Sequence, residues 1–225
     1  MLFLFNFYLF YNGDLYFRIL NIVNIKEYKR IYHHDYNCQD GWTTCLERLN
    51  LESDICFFGH SMIRNHNFQD DYPTKRIITL GYAGQDIIGM ISRVKQIKVV
   101  NPKIVVMAGT NSLYLSRTDF EYYYSVLINQ INNSVKDAHV ICIDIPLQSD
   151  GVYGESKSNS IIIERNSFIH RFCEERSIPV IMAYQMYADG NGNLDSNLQI
   201  EGDGVHIKDY SMLVSAISDT VENFY

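Results

Sequence analysis

The sequence lacks several features that would point directly to a class of function. Its 225 residues contain no C-x-x-C pair, and the five cysteines are odd in number, so neither a zinc site nor a disulfide framework is indicated. Basic residues are few, because 19 Lys and Arg stand against 26 Asp and Glu, a net charge of -7. Binding to phosphate backbones needs clustered basic residues, so this balance argues against a nucleic-acid partner and disfavours a highly acidic polymer as substrate.

The cysteines that are present favour a reducing compartment. Cys56 and Cys142 lie within apolar, strand-like runs, where a cysteine usually acts as a small hydrophobic residue. The other three cysteines are Cys38, Cys45 and Cys173. Because disulfides are rare in the cytosol, we expect a cytoplasmic protein, with export through an atypical amino-terminal signal as the alternative.

The amino terminus has an apolar stretch but no membrane span. Residues 1–11, MLFLFNFYLFY, are too few to cross a bilayer, no Lys or Arg precedes them, and no small-residue cleavage site follows. Two interpretations stay open, an export signal or a β-hairpin around Asn12-Gly13-Asp14. We favour the hairpin because aromatic and β-branched residues flank the turn on both sides. Residues 1–41 are therefore predicted to form an N-terminal extension.

From residue 42 onward, short apolar runs alternate with longer helix-like stretches. The runs predicted as strands are 55–58, 76–80, 104–108, 139–145 and 178–183, and the predicted helices lie near 85–99, 117–136, 158–176 and 208–223. Continuous apolar runs are typical of strands buried on both faces, and helices between them supply the crossovers of a parallel sheet. Residues 42–225 are therefore predicted to form one α/β domain, a three-layer α/β/α sandwich around a five-stranded parallel sheet.

Four short segments follow the strands or precede the helices of this domain. They are Gly59-His60-Ser61, Gly81-Tyr82-Ala83-Gly84, Gly109-Thr110-Asn111 and Asp203-Gly204-Val205-His206. Ligands of open α/β sheets bind at the carboxyl ends of the strands, where these segments fall. Taken singly, each has an ordinary structural interpretation: Ser61 as a helix cap, and Asn111 and Asp203 as turn residues. Their common order and spacing favours a shared site.

A serine nucleophile is predicted from these residues on chemical grounds. A serine hydroxyl attacks only when a base removes its proton and an acid orients that base. Asp203 and His206 are three residues apart, so a turn can bring the carboxylate against the imidazole. His60 is the poorer base, because adjacent side chains of an extended segment point in opposite directions. Ser61, His206 and Asp203 are therefore the predicted nucleophile, base and orienting acid.

The segments together resemble the SGNH (GDSL-like) hydrolases over roughly residues 52–224. FFGHS at 57–61, GYAGQ at 81–85, MAGTNS at 107–112 and DGVH at 203–206 are similar to the four blocks of that family, and the one departure is His60, where the family usually has Asp. The resemblance implies a flavodoxin-like fold and no metal or organic cofactor. It also implies an oxyanion hole made of the backbone N–H groups of Ser61 and Gly84 and the side-chain amide of Asn111.

Two details narrow this assignment. Gly84 is preferred to Gly81 in the oxyanion hole by family position alone. The G-x-S-x-G elbow is absent because Ile63 occupies its last position, which disfavours an α/β-hydrolase fold.

The predicted function is hydrolysis of carboxylic esters by a serine enzyme. No long apolar lid lies between the GTN and DGVH segments, so we expect short acyl groups, acetyl above all, on a carbohydrate or similar small alcohol. The alternatives are a lipid acylhydrolase or thioesterase of the same family and a catalytically silent carbohydrate-binding relative. A further alternative is a metal-dependent phosphoesterase with Asp203, His206 and His60 as ligands.

Overall fold

A five-stranded parallel sheet forms the centre of the computed structural model, which describes residues 51–94, 99–100, 103–150 and 158–223. The strands are β1 (Leu51–Glu52), β2 (Ile55–Gly59), β3 (Ile77–Gly81), β4 (Val99–Val100), β5 (Lys103–Met107), β6 (His139–Ile143) and β7 (Val180–Ile181). The central sheet has the order β3-β2-β5-β6-β7, and β1 pairs with β4 in a separate parallel pair. This strand order is the flavodoxin-like, doubly wound arrangement that the sequence predicted.

Helices connect the strands on both faces of the sheet. They are α1 (Ser61–Arg64), α2 (Phe68–Asp71), α3 (Ile87–Val94), α4 (Arg117–Ser134), α5 (Ser158–Glu174), α6 (Ala183–Met186) and α7 (Ser211–Glu222), with a 3-10 turn at Thr110–Ser112. The four helices predicted from the sequence correspond to α3, α4, α5 and α7. The last three have slightly shorter bounds than predicted, whereas α3 covers only Ile87–Val94 of the predicted 85–99, and residue 99 belongs to β4. None of the helices in the described part of the chain is both long and apolar enough to span a membrane.

The central strands β2, β5 and β6 are largely apolar and buried because each face of the sheet has its own core. On one face, Cys56, Phe58 and Val106 pack with residues of α3, α4 and α5. On the other face, Phe57 packs with residues of α1, α2 and α7, and its ring stacks on that of Phe68 with 3.8 Å between centroids. Cys142 is buried in the first core, as predicted. The continuous hydrophobic runs of the sequence therefore reflect burial on two sides.

The register of the sheet brings the ends of three strands to one edge. Gly59, the last residue of β2, is opposite both Gly81 of β3 and Met107 of β5. A side chain at Gly59 would lie 2.6 Å from the Met107 carbonyl oxygen, and one at Gly81 would overlap the backbone of Arg64. These two glycines therefore allow α1 to pack directly against the carboxyl ends of β2 and β3.

The N-terminal extension 1–41 and its predicted hairpin lie outside the described residues. The predicted domain boundary at residue 42 lies outside them as well, so both remain predictions.

Asn166 connects α5 to the segment after β6 through two hydrogen bonds to one residue. Its side-chain oxygen accepts the Ile145 N–H at 2.9 Å, and its amide nitrogen donates to the Ile145 carbonyl at 2.8 Å. Asn166 and Ile145 are both buried. The asparagine thus satisfies two main-chain groups that have no access to water.

We expect Asn166→Ala to lower the free energy of unfolding by about 2–4 kcal/mol, because each buried group left without a partner costs about 1–3 kcal/mol. Urea denaturation followed by circular dichroism measures this change. Asn133→Ala, on the exposed side of α4, is the matched control and should change stability by no more than about 0.5 kcal/mol. Equal losses in the two variants would contradict the role given to Asn166.

Candidate active site

Ser61 and His206 are in hydrogen-bonding contact although 145 residues separate them. The distance from Ser61 Oγ to His206 Nε2 is 2.7 Å. His206 Nδ1 lies 2.9 Å and 2.8 Å from the two carboxylate oxygens of Asp203. Because a carboxylate only accepts, Nδ1 carries the proton and Nε2 is left as the acceptor that faces the serine hydroxyl. The three residues predicted as nucleophile, base and orienting acid are thus brought together in the required order.

Asp203 is itself fixed by the turn that follows it. Its Oδ1 atom accepts the backbone N–H groups of Val205 at 2.9 Å and His206 at 2.6 Å. Gly204 has a φ of +73°, a left-handed conformation that suits glycine and keeps this turn tight. Burial raises the pKa of Asp203, but the hydrogen bonds from His206 and Val205 outweigh it and leave the pKa below its ordinary value. Asp203 is therefore ionised at neutral pH.

Ser61 is the first residue of α1, and His60 is the residue that caps this helix. His60 Nδ1 accepts the Met62 N–H at 3.4 Å. The interpretation of Ser61 as a helix cap is therefore wrong. The side-chain alternation expected of an extended segment also fails, because Ser61 already belongs to a helix. His60 is unsuited to the role of base for a different reason, since Nδ1 is occupied by the cap and the ring is fully buried.

Burial keeps the His60 imidazole neutral. Removal from water lowers the pKa of His60 to about 3, and the nearby His206 lowers it further in the same direction. The second ring nitrogen, Nε2, is buried and has no hydrogen-bond partner in the described part of the chain. His60 therefore caps α1 without adding a charge next to the reacting groups.

The loop that carries Asn111 is bonded to the loop that carries Gly84. The contacts are Asn111 Nδ2 to the Gln85 carbonyl (3.1 Å), the Ile87 N–H to Ser112 Oγ (2.9 Å), and Tyr114 OH to Asp86 Oδ2 (2.5 Å). The sequence prediction missed this network. Gln85 and Ser112 lie inside the quoted motifs, but no pattern in the sequence signals the partnership of Tyr114 with Asp86.

The two candidate glycines differ in their surroundings. Gly84 has a φ of +68°, which suits glycine, and it precedes Gln85, whose carbonyl accepts the Asn111 amide. Gly81 ends β3 and faces the backbone of Arg64, so its lack of a side chain has a packing reason. The placement of Gly84 in the Asn111 loop cluster favours it over Gly81, and the oxyanion hole of Ser61, Gly84 and Asn111 stays a prediction.

The buried Arg93 contacts two residues of the loop that carries Gly84. The Arg93 guanidinium lies 3.5 Å from the centroid of the Tyr82 ring and donates to the Gln85 side-chain oxygen at 2.7 Å. Tyr82 lies two residues before Gly84 in the chain, and Gln85 follows it directly. The loop is therefore held by a stacking contact and a charge-assisted hydrogen bond.

His60 also makes a testable contribution to the pH dependence of stability. Its pKa is about 3 in the folded chain and near its ordinary value of 6.5 when unfolded, so below pH 6.5 the unfolded chain binds a proton that the folded chain does not. Stability is therefore lost as pH falls, at up to about 1.4 kcal/mol per pH unit. Between pH 6 and pH 4, wild type should lose about 2 kcal/mol more than His60→Asn, which keeps a helix-capping residue. Urea denaturation at both pH values measures the difference, and parallel losses would contradict a buried neutral His60.

Comparison with known proteins gives structural similarity alone. No protein-family model matches the sequence, and no curated protein matches it significantly. Among solved structures, a GDSL-like lipase from Bacteroides thetaiotaomicron matches with a TM-score of 0.67 at 15% identity, over 88% of this chain and 98% of the other. The lipase/acylhydrolase from Enterococcus faecalis matches with a TM-score of 0.57 at 16% identity, over 75% and 95%. An acetyl xylan esterase matches with a TM-score of 0.58 at 16% identity, over 76% and 100%. The chain therefore has the fold of the SGNH (GDSL-like) hydrolases that its sequence blocks predicted.

Proposed function

We propose that this protein is a serine ester hydrolase with Ser61 as nucleophile. The observation that supports the proposal best is the 2.7 Å distance between Ser61 Oγ and the acceptor nitrogen of His206. That nitrogen is available as an acceptor because Nδ1, on the other side of the ring, carries the proton and donates a hydrogen bond to Asp203. A hydroxyl, an imidazole and an ionised carboxylate in this order are the groups that acyl transfer requires.

The proposed reaction has two stages. Ser61 Oγ attacks the ester carbonyl while His206 Nε2 takes its proton, and the resulting imidazolium then protonates the leaving alcohol. A water molecule next loses a proton to His206 and attacks the acyl-enzyme, and His206 returns that proton to Ser61 Oγ as the acid is released. Asp203 holds the ring and stabilises its positive charge throughout.

The negative charge on the carbonyl oxygen needs donors close to Ser61. We assign this role to the backbone N–H groups of Ser61 and Gly84 and to the Asn111 amide. The assignment is supported by the bond from Asn111 to the residue after Gly84, and by the connections that hold these two loops together. Donors that are fixed before the reaction cost no reorganisation when charge develops on the oxygen.

The substrate we propose is a short-chain ester, an acetyl group on a carbohydrate or similar small alcohol. The segment between Asn111 and Asp203 has no long apolar insertion that could cover a fatty chain. Structures of similar fold include both lipases and an acetyl xylan esterase, so the fold is compatible with either acyl length. The proposal of a short acyl group therefore rests on the lack of such an insertion in the loops, and the fold does not decide it.

Ser61→Ala should lower kcat/KM for p-nitrophenyl acetate by about 10⁴-fold or more, because it removes the nucleophile. Wild type, assayed on p-nitrophenyl esters from acetyl to palmitoyl beside acetylated sugars, should have its highest kcat/KM for acetyl esters. Ser92→Ala, at an exposed serine of α3, is the matched control and should keep wild-type activity. A fluorophosphonate probe should label wild type and Ser92→Ala but not Ser61→Ala.

The alternatives give different results in the same assays. A silent carbohydrate-binding relative would neither hydrolyse these esters nor react with the probe. A metal-dependent phosphoesterase would lose activity with a chelator and keep it in Ser61→Ala.

Asn111→Ala should lower kcat for p-nitrophenyl acetate by about 10²–10³-fold with little change in KM, because an oxyanion donor acts in the transition state. Asn133→Ala, the exposed asparagine of α4, is the control for general effects of removing an amide. An equal rise in KM with unchanged kcat would contradict the role of Asn111 and would indicate that its amide binds the ground state.

A further inference from the structure

A polar cavity of about 450 Å³ lies beside the helix that begins with Ser61. Its described lining consists of Arg64, Asn65, His66, Asn67, Thr79 and Gly81. The volume falls within the range of small-molecule binding sites, but such sites are usually lined by apolar side chains. This cavity instead presents amides, an imidazole, a hydroxyl and a guanidinium. Its chemistry favours a hydroxyl-rich ligand over an acyl chain.

The cavity is close to the predicted nucleophile. Arg64 ends the four-residue helix that Ser61 begins, and residues three apart are neighbours on a helix surface, about 5–6 Å between Cβ atoms. Ser61 and Arg64 therefore lie within one helical turn of each other. Gly81 also lines the cavity. It is opposite Gly59 in the sheet register, and Gly59 lies two residues before Ser61 in the chain.

Arg64 gives the cavity an uncompensated positive charge. It is exposed and forms no ion pair with any residue that the structure describes. No acidic residue belongs to the described lining. Asp71 contacts the lining through His66, with 2.6 Å between His66 Nε2 and Asp71 Oδ2.

The wall of the cavity is held in place before a ligand binds. The His66 ring stacks on Tyr210 with 4.2 Å between centroids and 9° between planes. Tyr210 in turn donates to the Met62 carbonyl at 2.7 Å, a buried bond to α1 itself. His66 is therefore fixed relative to Ser61, and a preformed wall lowers the entropy cost of binding.

We propose that this cavity binds an anionic group, a carboxylate or a phosphate, on the alcohol portion of the ester, with Arg64 as the residue that recognises the charge. This inference rests on the ester hydrolase function proposed above and narrows its substrate to acylated acidic sugars or sugar phosphates. The guanidinium fork matches both anions in two parallel hydrogen bonds. The amides of Asn65 and Asn67 and the Thr79 hydroxyl suit the neighbouring sugar hydroxyls.

The test compares three acetylated methyl glycosides, a neutral glucoside, a glucuronide and a glucoside phosphate. Wild type should have a kcat/KM about 10- to 100-fold higher for an anionic ester than for the neutral one, the effect of a hydrogen bond to a charged group. Arg64→Gln should abolish this preference chiefly through KM, and Arg64→Lys should keep part of it. Arg76→Gln, at an exposed arginine that faces Asp54, is the matched control and should keep all of it. The better of the two anionic esters identifies the source of the charge.

A binding measurement separates this inference from the proposed reaction. Calorimetry with methyl glucuronide, glucose 6-phosphate and methyl glucoside needs no turnover, and Ser61→Ala should retain the same preference for an anion. Arg64-dependent binding without hydrolysis by wild type would overturn the ester hydrolase proposal and leave the anion site standing. Equal binding of all three sugars, or an anion preference that persists in Arg64→Gln, would overturn the anion site.

Discussion

The contact between Ser61 and His206 depends on how two distant parts of the chain are joined. One part is the end of β2 and the start of α1, and the other is the segment that precedes α7. A second bond, from Tyr210 to the Met62 carbonyl, ties the same two parts together in the buried core. The short Asp203–His206 turn then needs to orient only one ring. The relative position of Ser61 and His206 is thus set by core packing, and the loop has only to orient the His206 ring.

Charge is distributed unevenly around this contact. Asp203 is ionised and contacts the His206 ring, whereas the nearby His60 is buried and neutral. A carboxylate in place of His60 would put a second negative charge near the base, in surroundings that are expensive for a charge. The imidazole caps α1 as a carboxylate would, with an acceptor nitrogen toward the Met62 N–H. The cap of α1 is therefore compatible with an imidazole or a carboxylate at position 60, but the electrostatic environment of His206 differs between the two.

Features that depend on local pattern could be predicted from the sequence. The central strands are apolar runs because they are buried on both faces of the sheet, and the three-residue spacing of Asp203 and His206 suits a tight turn. Features that depend on tertiary contact could not. The pattern offered Ser61 only as a helix cap and did not place it inside α1, and nothing in it indicates that Tyr114 bonds Asp86 or that a polar cavity lies beside α1. Each of these arises from residues that meet only when the sheet edge assembles, and the N-terminal extension remains a prediction.

The close approach of α1 to the ends of β2 and β3 has a consequence for redesign of the protein. Gly59 and Gly81 leave no room for even a methyl group, so any change there would shift the helix and with it the hydroxyl of Ser61. Asn65 and Asn67 follow directly after this helix, and both are exposed. Mutant libraries that seek new substrates should therefore diversify Asn65 and Asn67 and leave His66 and both glycines constant, since selectivity and reactivity are encoded in adjacent but separable positions.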